Sequence, residues 1–196
     1  MKYFINSINE SIILKKKLKN FKLEVNYFTS VIFETIKNNK KIFICGNGGS
    51  AADSQHLAAE FLIRLNPKVN RKAIAMIPLA LDTSSLTACG NDYSFEKIFS
   101  RNLEAIGSSD DLLMCLTTSG NSKNIINVVK TAKKMKIKTL CLLGNKGGEV
   151  KKFIEKKSNM IIIPSKNVAR IQECHMFLGH TILNMVEKKL LKNKII

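Results

Sequence analysis

The chain carries three histidines in 196 residues, and they fall in two short segments. His56 closes Gly46-Asn47-Gly48-Gly49-Ser50-Ala51-Ala52-Asp53-Ser54-Gln55-His56, with Glu60 four residues further on. His175 and His180 lie in Arg170-Ile171-Gln172-Glu173-Cys174-His175-Met176-Phe177-Leu178-Gly179-His180. Imidazole is the usual proton carrier near neutral pH and the commonest metal ligand. A third segment, Thr117-Thr118-Ser119-Gly120-Asn121-Ser122, is rich in hydroxyls. Together the three point to a phosphorylated substrate handled by acid–base or metal-assisted chemistry.

Each segment has a plainer reading beside the functional one. Thr117, Thr118, Ser119 and Ser122 offer hydroxyl donors, Gly120 lets backbone approach closely, and a helix starting there would present free amides and a positive dipole end to a monophosphate. The same residues would also serve as a simple strand–helix turn with Ser122 as cap. No Gly-x-x-x-x-Gly-Lys-Ser/Thr is present, so a nucleoside triphosphate is not indicated. Gly46-Asn47-Gly48-Gly49 lacks the full Gly-x-Gly-x-x-Gly spacing and is a weak dinucleotide signal. His56 and Glu60, four apart on a helix, share a face; they can aim at one metal or substrate, or form a surface pair. Gln172 and His180 are eight apart, roughly 12 Å along a straight helix. Unless their side chains lean together or two subunits combine, both cannot hold one small ion comfortably. His175 has the weakest claim of the three histidines and is expected to be structural.

These segments need elements to position them. Residues 5–13 and 25–36 have helical apolar spacing. Short apolar runs at 41–45, 73–79, 112–116, 139–143 and 160–163 read as buried strands. Helices are predicted over about 50–65, capped by Ser50, over 122–135 and over 168–191. Apolar strands alternating with helices imply a parallel sheet covered on both faces, a three-layer α/β/α sandwich. In such sheets ligands gather at the carboxyl ends of the strands. Gly46–Ser50 follows the first run and Ser119–Ser122 the third, so both fall on that edge.

Composition narrows the function classes. A chain of this length with 45% hydrophobic residues reads as one soluble domain, 1–196, with residues 1–40 forming helices that pack on the domain or an oligomer interface. No apolar run reaches the roughly 18 residues needed to span a bilayer, and the start lacks a signal-peptide pattern. The five cysteines, with no Cys-x-x-Cys, read as reduced core thiols of a cytoplasmic protein. The net charge of +17 is spread along the chain, which argues against a nucleic-acid groove; steering of anionic substrates is the functional alternative.

The segments Cys45-Gly46-Asn47-Gly48-Gly49-Ser50, Gly90-Asn91-Asp92, Thr118-Ser119-Gly120-Asn121-Ser122 and Arg170-Ile171-Gln172-Glu173 resemble those of the phosphoheptose isomerases, a branch of the sugar isomerase (SIS) domain family. The resemblance runs from the N-terminal helices to the last helix. It implies a SIS fold with a central five-stranded parallel sheet, a cytoplasmic homotetramer with sites at subunit interfaces, and interconversion of sedoheptulose 7-phosphate and D-glycero-D-manno-heptose 7-phosphate, the first step toward activated heptoses for surface glycans. It implies one zinc per subunit on His56, Glu60, Gln172 and His180. It places Asn47, Gly48, Gly49, Ser50, Asn91, Asp92, Thr117, Thr118, Ser119, Ser122 and Gln172 against substrate, and gives Glu60 and His180 the proton transfers. Thr117 stands where serine is frequent, which keeps the hydroxyl, and Ala169 stands where some members carry an acid. A sister group, the replication-initiator-associating proteins, shares the fold without catalysis. That group lacks the Glu60 acid and the His180 imidazole, and this chain has both.

Overall fold

A computed structural model describes residues 1–79 and 82–196. Helix α1 (Lys2–Lys17) and α2 (Lys22–Lys37) lead into β1 (Ile42–Cys45), α3 (Gly49–Leu62) and β2 (Met76–Pro78). Helices α4 (Thr83–Asp92) and α5 (Ile98–Ile106) follow, then β3 (Leu112–Thr117), α6 (Lys123–Lys134), β4 (Lys138–Gly144), β5 (Met160–Ile163) and α7 (Val168–Lys192). The five strands form one parallel sheet in the order β2-β1-β3-β4-β5.

Pleating divides the strand residues between two cores. Ile42, Ile44, Leu112, Met114, Leu116, Leu140 and Leu142 pack with α2, α3 and α7. Phe43, Cys45, Leu113, Cys115, Cys141 and Leu143 pack with α5 and α6. Because both faces are covered, the central strands β1 and β3 are buried at every position, which is why they read as unbroken apolar runs. The expected three-layer sandwich is what the chain forms. Cys45, Cys115, Cys141 and Cys174 are buried and all five thiols are free.

Several local expectations change. The second strand is only Met76–Pro78, because the chain before it turns to α3: the Ile74 amide donates to the Phe61 carbonyl at 3.0 Å. Ser50 does not cap α3. Gly48 takes the cap position at φ +55°, and Ser50 is buried in the first turn, where its carbonyl accepts the Ser54 hydroxyl at 2.7 Å. Helices α4 and α5 have no counterpart among the helices expected from sequence. Helix α4 buries no residue and so has no apolar stripe to read; its start is fixed by Asp82, whose carboxylate accepts the Ser85 amide at 2.6 Å.

The order of the strands fixes where a ligand goes. The chain leaves β1 toward β2 on one side and returns to β3 on the other, so the crevice lies between the carboxyl ends of β1 and β3. The segments that follow those two strands are Gly46–Gly49 and Thr118–Ser122.

Candidate active site

The two loops at the crevice are tied to each other. Asn47 Nδ2 donates to Asn124 Oδ1 and Asn124 Nδ2 donates to Asn47 Oδ1, both at 2.9 Å. Asn124, in the first turn of α6, is buried; a lone Asn beside Lys123 gives no signal of this role in sequence. On the β3 side, the Gly120 amide donates to Thr117 Oγ1 at 3.1 Å and the Asn121 amide to Ser119 Oγ at 3.1 Å. Gly120 sits at φ +68°, and a Cβ there would lie 2.1 Å from the Gly147 carbonyl oxygen, so both backbone and space require glycine. Ser122 occupies the cap position of α6 but makes no side-chain capping bond. Its hydroxyl and the amides of Lys123 and Asn124 stand at the N-terminal end of α6, where negative charge is favoured, while the Ile125 amide donates to Asn124 Oδ1 at 2.9 Å.

Helix α3 leaves the Gly48–Gly49 turn and carries His56 and Glu60; α7 lies against it and carries His180. His56 Nε2 and His180 Nε2 are 2.9 Å apart, with Glu60 Oε1 3.2 Å from the first and 3.8 Å from the second. The rings are nearly perpendicular. These three side chains are a group that could hold a metal ion. Two ligands at about 2.0–2.1 Å from a tetrahedral zinc stand about 3.3 Å apart, and the three observed separations bracket that value. The histidine side chains are about half exposed and Glu60 is 17% exposed, so the group opens to solvent and leaves room for a further ligand.

Gln172 is placed elsewhere on α7. Its Nε2 donates to Asp53 Oδ1 at 3.2 Å, and its amide lies over Gly49. Along α7 it therefore sits about two turns before His180, as their eight-residue spacing requires. Asp53 is a site residue that sequence reasoning missed, although it lies one turn before His56. It is buried, and its Oδ2 has no partner. Burial raises its pKa, opposed by the Gln172 hydrogen bond and by His56. Asn91 and Asp92 lie exposed at the end of α4, where Asn91 Nδ2 donates to Asp92 Oδ1 at 2.8 Å.

His175 belongs to the core. It is fully buried, its Nε2 donates to the Leu143 carbonyl at 3.1 Å, and burial pushes its pKa down to about 4. An unfolded histidine titrates near 6.5, so between about pH 6.5 and 4 the unfolded chain binds a proton that the folded chain refuses. Stability is complete above that window and falls through it on acidification, by about 3 kcal/mol from this residue alone. Urea midpoints of the parent and of His175→Gln, measured from pH 7.5 to 4.5, should converge as pH falls; parallel curves would contradict the assignment.

A sheet of this order with a hydroxyl-lined loop at its switch point is the fold and site of a sugar isomerase (SIS) domain, and the SIS-domain family model matches residues 4–144. The chain is 41% identical to the phosphoheptose isomerase of Clostridium acetobutylicum, with 100% of this chain and 99% of that one covered. It is 44% identical to that of Akkermansia muciniphila, over 89% of this chain and 90% of the other. The phosphoheptose isomerase structure from Neisseria gonorrhoeae superposes with a TM-score of 0.88 at 34% identity, covering 95% of this chain and 98% of that chain. The chain belongs to the phosphoheptose isomerases, aldose–ketose isomerases built on the SIS domain. The non-catalytic, initiator-binding alternative finds no support in these relatives. No helix among the described residues is long and apolar enough to cross a membrane.

Proposed function

We propose that the His56–Glu60–His180 group, with the Thr117–Ser122 cradle, interconverts sedoheptulose 7-phosphate and D-glycero-D-manno-heptose 7-phosphate through an enediol. The observation that carries this reading is the convergence of the three side chains on one point about two turns along α3 from the glycine turn, roughly 10 Å by helical rise. Thr117, Thr118, Ser119, Ser122 and the start of α6 bind the phosphate. Asn47, Gly48, Gly49, Ser50, Asn91 and Asp92 bind the sugar.

Glu60 removes the proton from the carbon beside the carbonyl, and His180 moves a proton to and from the neighbouring oxygens. The donor set of two imidazoles and a carboxylate suits zinc, one per subunit, with Gln172 as a further ligand or a substrate contact. When bound, zinc supplies Lewis-acid polarisation of the carbonyl. Glu60 faces the histidines through Oε1, which leaves Oε2 for the proton.

Helix α2 buries Phe28, Ile32, Phe33 and Ile36 against the domain, whereas α1 buries only Leu14 and leaves Tyr3, Phe4, Ile8 and Ile12 exposed. This apolar surface supports a homotetramer assembled through the N-terminal helix around 1–196 as a single domain. The enzyme acts in the cytoplasm, at the first step toward activated heptoses for surface glycans.

Reaction in D2O tests the enediol. Deuterium should enter the aldose at the carbon beside the carbonyl, carried there by an exchangeable proton on Glu60; complete retention of the transferred hydrogen, even under conditions that slow turnover, would count against that exchangeable proton. Gly120→Ala tests the cradle, because the added methyl must displace the loop. The KM for the sugar phosphate should rise about tenfold or more and the melting temperature should fall, because the methyl meets the Gly147 backbone at a positive φ; an unchanged KM in the folded variant would place the phosphate elsewhere.

A further inference from the structure

Arg71 lies in the loop between α3 and β2, outside the glycine, hydroxyl and histidine segments. Its side chain is 0% exposed, and Glu187 of α7, which it meets, is 3% exposed. Arg71 Nε donates to Glu187 Oε1 at 2.6 Å. Its Nη2 donates to the Glu60 carbonyl at 2.7 Å, and its Nη1 to the carbonyls of Phe61 at 3.0 Å and Lys72 at 2.9 Å. Glu60 and Phe61 stand in the last turn of α3, where carbonyls lack partners within the helix and a cation is favoured.

We propose that Arg71 and Glu187 are positioning residues that hold α3 and α7 in the alignment that brings Glu60 to His180. Glu187 follows His180 by seven residues, two helical turns, and so returns to nearly the same face of α7. That face turns His180 toward His56 and Glu60, and two turns on it turns Glu187 toward the end of α3. At the level of the triad the helices meet closely: a Cβ at Gly179 would lie 2.6 Å from Leu57. One guanidinium thus grips the backbone of Glu60 itself and, through Glu187, the helix that carries His180. A buried ion pair adds little net stability over a well-packed apolar pair. What the planar fork adds is direction, with several donors fixed in one plane. Loss of the clamp would let the two helices slide by a fraction of an ångström, enough to spoil a three-ligand site without unfolding the domain.

The inference rests on the metal-site reading of the triad, and the test separates the two. Arg71→Lys keeps the charge opposite Glu187 but cannot reach the Glu60 and Phe61 carbonyls with the same fork. The double variant Arg71→Met/Glu187→Leu removes both charges and strands neither. Each full-length variant is measured beside the parent for thermal melting, zinc affinity by chelator competition, and kcat and KM. Folded variants should bind zinc 10- to 100-fold more weakly and lose at least tenfold in kcat, while KM stays within about threefold, because the phosphate cradle on α6 is untouched. A folded variant that keeps parental zinc affinity and kcat would overturn the proposal. Failure of both variants to fold would overturn it too, since the pair would then serve the fold and not the site. A parent that binds zinc but does not turn over would count against the isomerase reading alone, with zinc affinity still deciding the clamp.

Discussion

Glu60→Gln is expected to fold like the parent and to lose about 10²- to 10⁴-fold in kcat, the range that a positioned general base contributes. The substitution keeps the size and hydrogen-bonding reach of the side chain, so His56 and His180 retain a neighbour. It removes the only carboxylate of the triad and with it the basic oxygen. Glu60 also faces solvent in part, so its replacement leaves no stranded buried charge. Steady-state kinetics with sedoheptulose 7-phosphate and a thermal melt check both halves. A folded Glu60→Gln enzyme with near-parental kcat would remove Glu60 from the proton transfer.

His180→Ala should cost a similar factor in turnover and weaken zinc binding more than Glu60→Gln does, because one of three convergent donors is removed outright, whereas the amide of Glu60→Gln keeps an oxygen in place. The side chain is 42% exposed, so truncation opens little cavity and the melting temperature should stay close to the parent's. Groups that act as one unit are not additive. The double variant Glu60→Gln/His180→Ala should therefore be little slower than either single one. Multiplicative losses would show that the two residues act in separate steps and not as a pair.

The parts of this molecule that were legible in sequence are those where a local pattern meets a global one. Strands β1 and β3 are buried throughout, β4 at all but its first residue and the edge strand β5 at alternate positions, so each appears as an apolar run ended by glycine, proline or a hydroxyl. His56 and Glu60 are neighbours by helical periodicity alone, and the glycine and hydroxyl loops fall at the crevice because they follow β1 and β3. Helix α4 was illegible because it packs no apolar stripe. Asp53, Asn124, Arg71 and Glu187 were illegible for another reason: each acts across the fold, on a partner 77 or more residues away. For Gln172 and His180, helix geometry already sets the two side chains about 12 Å apart along α7, and each meets a different partner on α3. Gln172 engages Asp53, and about two turns further along α7 His180 engages His56 and Glu60.

The most direct test of the central claim is a ¹³C NMR time course of the purified protein with sedoheptulose 7-phosphate, run zinc-replete and again after chelation. The zinc-replete protein should convert it to an aldoheptose 7-phosphate, and chelation should abolish that conversion until zinc is added back. No conversion by folded, zinc-replete protein would contradict the assignment of the His56–Glu60–His180 group as the isomerase site.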